Sequence, residues 1–317
     1  MKMHPFVALV ACCAALVFGT ASAQDSLKLA IGQRGNWENA PAELGQKAGI
    51  FRKHGLTLEI LYTQGGGETL QAVLSGSVDI GVGVGMAGTM GAFAKGAPVR
   101  AIANSTTGAD DLFWYVPANS PIKSLKDAAG KTIAYSTTGS STNLAVLAFI
   151  KHFDTPMKPV ATGSPPSTFT QVMSGQVDIG WSSPPFAVEA LQQGRIRMVA
   201  KESDVPSFRN QTVRVMIATT QTVAQKRDAL QRFFAAYRET LDWMYADPAA
   251  IDRYAEWSKL PKPIAARAPE YMTRKNMEPL RISGLPGIMD DAVKFKYIPA
   301  PLSEAQIKEA LPVDALK

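Results

Sequence analysis

The chain has 317 residues, 46% of them hydrophobic and 19% charged, so it has ample apolar material for one large or two modest globular domains. Its 33 basic and 27 acidic residues give a formal net charge of +6. The basic residues are scattered with no run of five, which argues against a nucleic-acid-binding arm.

The N-terminus has the organisation of an export signal. Lys2 precedes an apolar run at 6–18, and Ala21-Ser22-Ala23 supplies a small-x-small cleavage site. The apolar run is too short to span a bilayer. We therefore expect residues 1–23 to be a signal peptide that is cleaved after Ala23, which would place the mature chain in the periplasm.

Both cysteines, Cys12 and Cys13, lie in the segment that would be removed. The mature chain is therefore expected to hold no thiol and no disulfide. The sequence Leu9-Val10-Ala11-Cys12 also resembles a lipoprotein box. A lipid anchor at Cys12 is the alternative to soluble export.

Strand and helix patterns alternate along most of the chain. Apolar patterning predicts strands at 27–31, 56–62, 78–83, 99–103, 112–116, 131–135, 196–200 and 212–218. Helical spacing and turn residues predict helices at 42–53, 68–74, 86–95, 124–130, 141–151 and 184–193. Strands separated by helices indicate βαβ units, so an α/β fold with mainly parallel sheets is expected.

The C-terminal third is predicted to be helical. A long amphipathic helix is expected at 224–245, and Asp247-Pro248 has the sequence of an N-cap followed by proline in the first turn. The remainder, to residue 317, is punctuated by prolines. We expect these helices to pack onto the rest of the protein as support.

One seven-residue sequence occurs twice. Residues 75–81 are Ser-Gly-Ser-Val-Asp-Ile-Gly and residues 174–180 are Ser-Gly-Gln-Val-Asp-Ile-Gly. Each copy ends a helical pattern, opens an apolar strand and is followed by a second helical pattern. The repeat therefore predicts two similar lobes, and we interpret its aspartates, Asp79 and Asp178, as structural residues that order the neighbouring turns.

The order of the elements suggests how the lobes are built. Lobe 1 is expected to comprise 24–109 and 212–317, and lobe 2 to comprise 110–211. The chain then crosses between lobes twice, near 105–112 and near 210–215. Two strand-like crossings form a hinge whose few residues can absorb a closing motion.

Ligands of open parallel sheets bind at the carboxyl ends of the strands, where loops meet helix N-termini. Loops rich in Gly, Ser and Thr let backbone N–H groups approach a ligand, and a helix N-terminus favours an anion. Trp37 and Trp181 are expected to wall the cleft, and Asp110 or Asp111 at the hinge could hold a ligand amine. The candidate ligand-binding residues are Gln33, Trp37, Gly65, Gly66, Gly67, Gly85, Met86, Ala87, Thr138, Ser140, Ser141, Thr142, Trp181, Ser182 and Ser183.

Patterns typical of catalysis are poor. The histidines, His4, His54 and His152, show no metal-ligand spacing, and neither a nucleophile elbow nor a phosphate-loop lysine motif occurs. We therefore expect neither a metal nor a cofactor, no catalytic residues, and a protein that is not an enzyme.

Several segments together resemble the periplasmic solute-binding proteins of ABC importers of the alkanesulfonate, taurine and nitrate type, which share a fold with thiamine-pyrimidine synthase-like proteins. They are Ala-Gly-Ile-Phe-Arg-Lys-His-Gly-Leu at 48–56, the repeated motif, Ser-Pro-Ile-Lys-Ser-Leu-Lys-Asp-Ala-Ala-Gly-Lys at 120–131 and Gly-Ser-Ser at 139–141. The resemblance implies a type II periplasmic-binding fold, a small, anionic solute held between two lobes, and delivery to a membrane permease. A monomer is expected.

One departure from that family bears on the solute. Sulfonate-binding relatives often carry Trp-Asp-Pro where this chain has Ser183-Pro184-Pro185. The missing aspartate weakens a taurine-like assignment and leaves a sulfonate, a carboxylate or an aromatic acid open. Two alternatives remain: an enzyme on the same fold, such as a pyrimidine-precursor synthase, and a binding protein that serves a sensor.

Overall fold

The computed structural model describes residues 24–108 and 110–316. The signal peptide, its cleavage site and both cysteines lie outside the described residues. Within those two ranges, no helix combines the length and the apolar character that a membrane crossing requires.

The strands and helices alternate largely as the sequence predicts. The strands are β1 (Asp25–Gly32), β2 (Leu56–Thr63), β3 (Ile80–Gly85), β4 (Val99–Thr107), β5 (Phe113–Pro117), β6 (Thr132–Tyr135), β7 (Lys158–Ala161), β8 (Gly180–Ser182), β9 (Ile196–Lys201) and β10 (Thr212–Thr219). The helices are α1 (Pro41–Lys47), α2 (Ile50–Lys53), α3 (Gly66–Leu74), α4 (Met86–Ala94), α5 (Ser141–His152), α6 (Pro165–Met173), α7 (Val188–Gln192), α8 (Thr220–Gln225), α9 (Arg227–Ala246), α10 (Pro248–Ser258), α11 (Lys262–Ala265), α12 (Ala268–Tyr271), α13 (Leu285–Lys294) and α14 (Glu304–Ala310).

Lobe 1 is built on a five-stranded sheet in the order β2-β1-β3-β10-β4. Strand β1 pairs in parallel with both β2 and β3, whereas β10 runs antiparallel to β3 and β4. The parallel core confirms the α/β class, and the antiparallel strand is the one that returns from lobe 2.

Lobe 2 repeats this order with the corresponding strands. Strands β6 and β7 pair in parallel, and an isolated parallel bridge between Ile133 and Ile179 joins β6 to the segment that leads into β8. Strand β5 then lies between β8 and β9 and is antiparallel to both. The five strands of each lobe therefore follow one plan, in which the fourth strand in the order is antiparallel and arrives from the other lobe.

The repeated motif occupies the same corner of both lobes. Asp79 accepts a hydrogen bond of 2.9 Å from the backbone N–H of Lys28 in β1, and Asp178 accepts one of 2.9 Å from that of Thr132 in β6. Each carboxylate thus ties the turn before one strand to the parallel strand beside it. Both aspartates have the structural role that the repeat suggests.

The two crossings between the lobes run side by side. Thr212 at the start of β10 pairs with Thr107 at the end of β4, their hydroxyl oxygens are 3.1 Å apart, and the backbone N–H of Gly108 donates to Gln211 O at 3.0 Å. Such a short, paired connection restricts relative motion of the lobes to bending at a few residues.

The C-terminal helices pack on lobe 1. Leu27, Leu29 and Ile31 alternate along β1 and share one apolar cluster with Phe233 and Tyr237 of α9, all of them buried. The amphipathic pattern of the long helix is satisfied in this way, because its apolar face covers one face of the sheet. Asp247 caps α10 as predicted, accepting a hydrogen bond from the N–H of Ala249 at 2.9 Å.

Three predicted helices differ in the structure, and the one expected at 124–130 is only a 3-10 turn at Leu125–Asp127. The helix expected at 42–53 is divided into α1 and α2 at Gly49, whose φ of +80° is incompatible with a continuous helix. The helix expected at 184–193 begins only at Val188, because Ala187 adopts a φ of +61°. Strand β7, which is short, contains a proline and forms the outer edge of its sheet, had no clear sequence signal.

Candidate ligand-binding site between the lobes

A small cavity lies where the loops of both lobes meet the crossing strand β10. Its volume is about 20 Å³, which is room for one water-sized group. A solute of several atoms therefore requires the lobes to separate. The cavity is lined by Gly32, Gln33, Asn39, Gly66, Gly83, Leu112, Ser136, Ser140, Ser141, Thr142, Trp181 and Arg214.

Glycine-rich loops of lobe 1 bring the two lobes into backbone contact. A Cβ atom on Gly67 would lie 2.3 Å from Thr138 O, and one on Gly85 would lie 2.6 Å from Gly139 O. The N–H of Gly67 also donates to the hydroxyl of Thr137 at 2.9 Å. These glycines therefore permit a close approach between lobes that no larger residue would allow.

The N-terminus of α5 faces the cavity through a cluster of hydroxyl groups. Thr142 Oγ1 lies 2.9 Å from the hydroxyls of both Ser136 and Ser140, and it accepts the N–H of Ser136 at 2.9 Å. Ser140 is also the N-cap of the helix and accepts the N–H of Asn143 at 3.2 Å. Part of the Ser and Thr enrichment in this loop thus serves to cap the helix.

A buried charged cluster adjoins the cavity at the hinge. Arg214 Nη2 donates to Asp111 Oδ2 at 2.5 Å, and Arg214 Nε donates to Thr106 Oγ1 at 2.7 Å. Arg214 Nη1 lies 3.8 Å from Glu38 Oε1, which in turn accepts the hydroxyl of Ser183 at 3.4 Å. A single guanidinium thereby links the crossing strand to both lobes.

Burial shifts the ionisation of this cluster. Burial is the main reason that the pKa of Glu38 rises to about 7, and Asp111 adds to the rise while Arg214 opposes it. Burial likewise raises the pKa of Glu202 well above its usual value. Burial alone would lower the pKa of Arg214, but the surrounding carboxylates outweigh it, so that pKa is raised and the guanidinium stays charged.

Several buried polar atoms at this point have no hydrogen-bond partner. They include the indole N–H of Trp181, Oδ1 of Asp111 and both carboxyl oxygens of Glu202. The Asn36 amide lies beside the Glu38 carboxyl but makes no hydrogen bond of standard geometry. Buried polar groups are normally paired, so this concentration of unpartnered atoms marks a place that a ligand could satisfy.

The structure brings together many of the residues predicted to bind a ligand. Gln33, Gly66, Ser140, Ser141, Thr142 and Trp181 line the cavity. Gly65, Gly67 and Gly85 form the contact between the lobes, and Ser183 joins the charged cluster. Ser182 instead donates to Phe186 O within its own loop at 3.1 Å.

Other predicted residues lie elsewhere. Trp37 is buried against the C-terminal helices, where its indole N–H donates to Tyr245 OH at 2.9 Å and Tyr254 packs edge-on at 4.9 Å. The expectation that it walls the cleft is therefore replaced by a packing role. Met86 and Ala87 lie in the apolar core, and the side chain of Thr138 is exposed.

Most residues of the charged cluster were not predicted from the sequence. Arg214 is the one charged residue in the strand Thr-Val-Arg-Val-Met-Ile-Ala-Thr, whose first seven residues are buried, and that contrast was an available signal. Glu38 follows Trp37 and Glu202 follows Lys201 at element boundaries, and neither gives a comparable sign. Among the described residues, no group of three or more His, Cys, Asp or Glu side chains is arranged to hold a metal ion.

The raised carboxyl pKa values predict that stability falls as pH rises. Between about pH 4.5 and 7 the folded chain retains the Glu38 proton that the unfolded chain releases, so Glu38 alone lowers the free energy of unfolding by about 3 kcal/mol across that window. Urea denaturation at pH 5.5 and pH 8 should show about 2 kcal/mol of this loss, since it begins one pH unit inside the window. Glu38→Gln should reduce this pH dependence, whereas exposed Glu189→Gln should leave it intact; equal slopes in both variants would contradict the assignment.

Residues 36–251, more than half of the chain, match the family described as NMT1/THI5 like. The chain belongs to the NMT1/THI5-like family. The 4-amino-5-hydroxymethyl-2-methylpyrimidine phosphate synthase of Candida albicans (strain WO-1) is 25% identical over 233 residues, covering 67% of this chain. The chain spans 66% of the length of that relative.

Solved structures with the same fold include solute-binding proteins. The alkanesulfonate-binding protein SsuA from Xanthomonas axonopodis pv. citri bound to MOPS superposes with a TM-score of 0.75 at 16% identity, covering 90% of this chain and 97% of SsuA. The periplasmic nitrate-binding protein NrtA from Synechocystis PCC 6803 gives 0.70 at 14% identity, covering 91% and 86%. These similarities confirm the periplasmic-binding-protein fold and the resemblance seen in the sequence.

The expectation that the chain is not an enzyme is contradicted by the family. The curated relatives of this NMT1/THI5-like chain are named as synthases, so membership does not separate binding proteins from enzymes. The prediction failed because it relied on missing catalytic motifs, and a shared fold supports both kinds of function.

Proposed function

We propose that this NMT1/THI5-like protein captures a small solute between its two lobes outside the cytoplasm and delivers it to the membrane permease of an ABC importer. The observation that carries the proposal is the cavity itself, which is lined by loops of lobe 1, loops of lobe 2 and the crossing strand β10. A ligand held there would contact both lobes at once, and its binding energy would stabilise the closed arrangement.

Further features support the same function. The lobes, taken as 24–109 with 212–317 and as 110–211, would move about the paired crossings at Thr107 and Thr212. Gly67 and Gly85 would form the closing contact, and the hydroxyls at the start of α5 would meet the solute. An exported chain in the periplasm, cleaved after Ala23 and monomeric, fits this role, and fold neighbours named as sulfonate- and nitrate-binding proteins agree with a small polar solute.

The experiment uses the chain without residues 1–23, equilibrated with a metabolite extract and then desalted. We expect a higher melting temperature, because a ligand that binds only the folded state stabilises it by mass action. We also expect a smaller radius of gyration by small-angle X-ray scattering and a small molecule that mass spectrometry detects after denaturation. A protein that releases no small molecule, and that neither gains stability nor contracts, would contradict solute capture.

A second candidate is the synthase activity of the curated relatives, favoured by the family match over residues 36–251. The test is complementation of a yeast strain that lacks its 4-amino-5-hydroxymethyl-2-methylpyrimidine phosphate synthases, with the chain expressed in the cytoplasm. Growth without added pyrimidine would support the synthase. Failure to grow, with soluble protein present, would favour solute capture.

A further inference from the structure

The balance of charge beside the cavity is acidic. Three carboxyl groups, those of Glu38, Asp111 and Glu202, surround the single guanidinium of Arg214, and all four side chains are at least nine-tenths buried. Burial raises the pKa of Glu38 and of Glu202, so the excess of carboxylate over guanidinium develops as these groups ionise with rising pH. An anionic solute would then meet like charges in a poorly solvated site, which is costly.

Arg214 has few N–H groups left to donate to an anion. Its Nε is committed to Thr106 and its Nη2 to Asp111, while Nη1 lies beside Glu38. The strongest interaction of this guanidinium is already made within the protein. It therefore neutralises the cluster, and an incoming sulfonate or nitrate would compete with Asp111 for the same N–H groups.

The atoms that lack partners are mostly hydrogen-bond acceptors. Oδ1 of Asp111 and both oxygens of Glu202 can accept N–H donors, and Oε1 of Glu38 accepts the hydroxyl of Ser183 at 3.4 Å. Trp181, which lines the cavity, offers an aromatic ring and an unpartnered indole N–H. Carboxylates with an aromatic wall form an environment that suits an organic cation.

From this arrangement we infer that the solute carries a cationic or N–H-rich nitrogen group, such as an amine, an amidine or an amino-substituted ring, which the carboxyl groups of Glu38, Asp111 and Glu202 receive. The inference rests on the proposed function of solute capture. A bare metal ion does not fit, because the described residues contain no cluster arranged to hold one. The Trp181 N–H would meet an acceptor elsewhere on the same solute.

The charge of the solute determines whether its affinity rises or falls with pH. A cationic ligand binds the ionised carboxyl groups, so its binding releases protons and its affinity rises with pH. An anionic ligand binds the protonated groups, so its affinity falls. The groups that act on Glu38 are Asp111 and Arg214, and those that act on Glu202 are Arg214, Asp111 and Asp110. Tyr237, Tyr245 and Tyr254 also interact with Glu38, but burial raises the pKa of each further above neutrality.

The test is isothermal titration calorimetry with probes whose charge is constant from pH 5.5 to 8. Benzamidine and agmatine represent the cations, and ethanesulfonate and nitrate represent the anions. We expect the cations to bind and their affinity to rise by several fold over this range. Glu202→Gln should weaken benzamidine binding at least tenfold, whereas exposed Glu189→Gln should leave it unchanged.

The outcomes separate this inference from the proposed function. Binding of ethanesulfonate or nitrate without the cations, or cation affinity that falls with pH, would overturn the inference and leave solute capture standing. If no probe binds, the inference also fails, and solute capture is then judged by the metabolite-extract experiment, which assumes no class of solute. Should Glu202→Gln not fold, the pH dependence of the unaltered protein decides alone.

Discussion

Replacing Arg214 with methionine is expected to lower the free energy of unfolding by about 3–5 kcal/mol at pH 7.5, because it leaves buried carboxyl groups without their cation. Glu38 and Asp111 are in ion-pair range of this guanidinium, and Glu202 interacts with it electrostatically. The loss should be smaller at pH 5.5, where protonation removes the uncompensated charges. Urea denaturation of the purified variant at both pH values measures the effect.

A surface ion pair supplies the control for this prediction. Arg267 pairs with Glu270 at 3.2 Å, and both side chains are largely in solvent, so Arg267→Met should cost less than about 1 kcal/mol at either pH. If Arg214→Met and Arg267→Met cost the same, or if the Arg214 variant loses as much at pH 5.5 as at pH 7.5, the buried cluster does not have the role assigned to it.

Replacing Gly88 with valine is expected to prevent closure of the lobes. A Cβ atom on Gly88 in α4 would lie 2.2 Å from Gly139 O in lobe 2, a contact that separation of the lobes would relieve. The solute recovered from the metabolite extract should then bind at least about 100-fold more weakly, because each tenfold loss corresponds to about 1.4 kcal/mol of contacts from the missing lobe. Calorimetry measures the affinity, and scattering should show no contraction.

The variant should remain folded, since the clash lies between lobes and valine is tolerated in a helix about as well as glycine. Ala94→Val is the matched control, because Ala94 lies on the same helix and its side chain is exposed. Tight solute binding with normal contraction in Gly88→Val would show that the contact at Gly139 is not part of the closed state.

The plan of the fold could be derived from the sequence because it depends on local patterns. The repeated motif predicted two similar lobes, and the two sheets share one strand order. Asp79 and Asp178 could be assigned a structural role because each acts on backbone close to a turn of its own lobe. The periodicity of apolar residues shows which face of a helix or strand is buried, even when the element that packs against it is unknown.

The candidate site could be predicted only in part. Loops after parallel strands were expected to converge, and Ser140, Thr142 and Trp181 do line one cavity. Trp37 was misplaced because a loop tryptophan beside polar residues gives no indication of direction, and here α9 and α10 receive its ring. The glycines were identified, but their contact with the opposite lobe depends on how the lobes dock.

The sequence by itself determined two repeated α/β lobes, an expected export signal and a set of polar loops, because each rests on residues near one another in the chain. Only the tertiary structure decided that Arg214 meets Glu38 and Asp111, since these residues come from three distant segments. Strand β10, which lies between β3 and β4, brings Arg214 to both carboxyl groups. The charge of the site therefore depends on how the chain crosses between the lobes. Local sequence patterns do not specify that crossing.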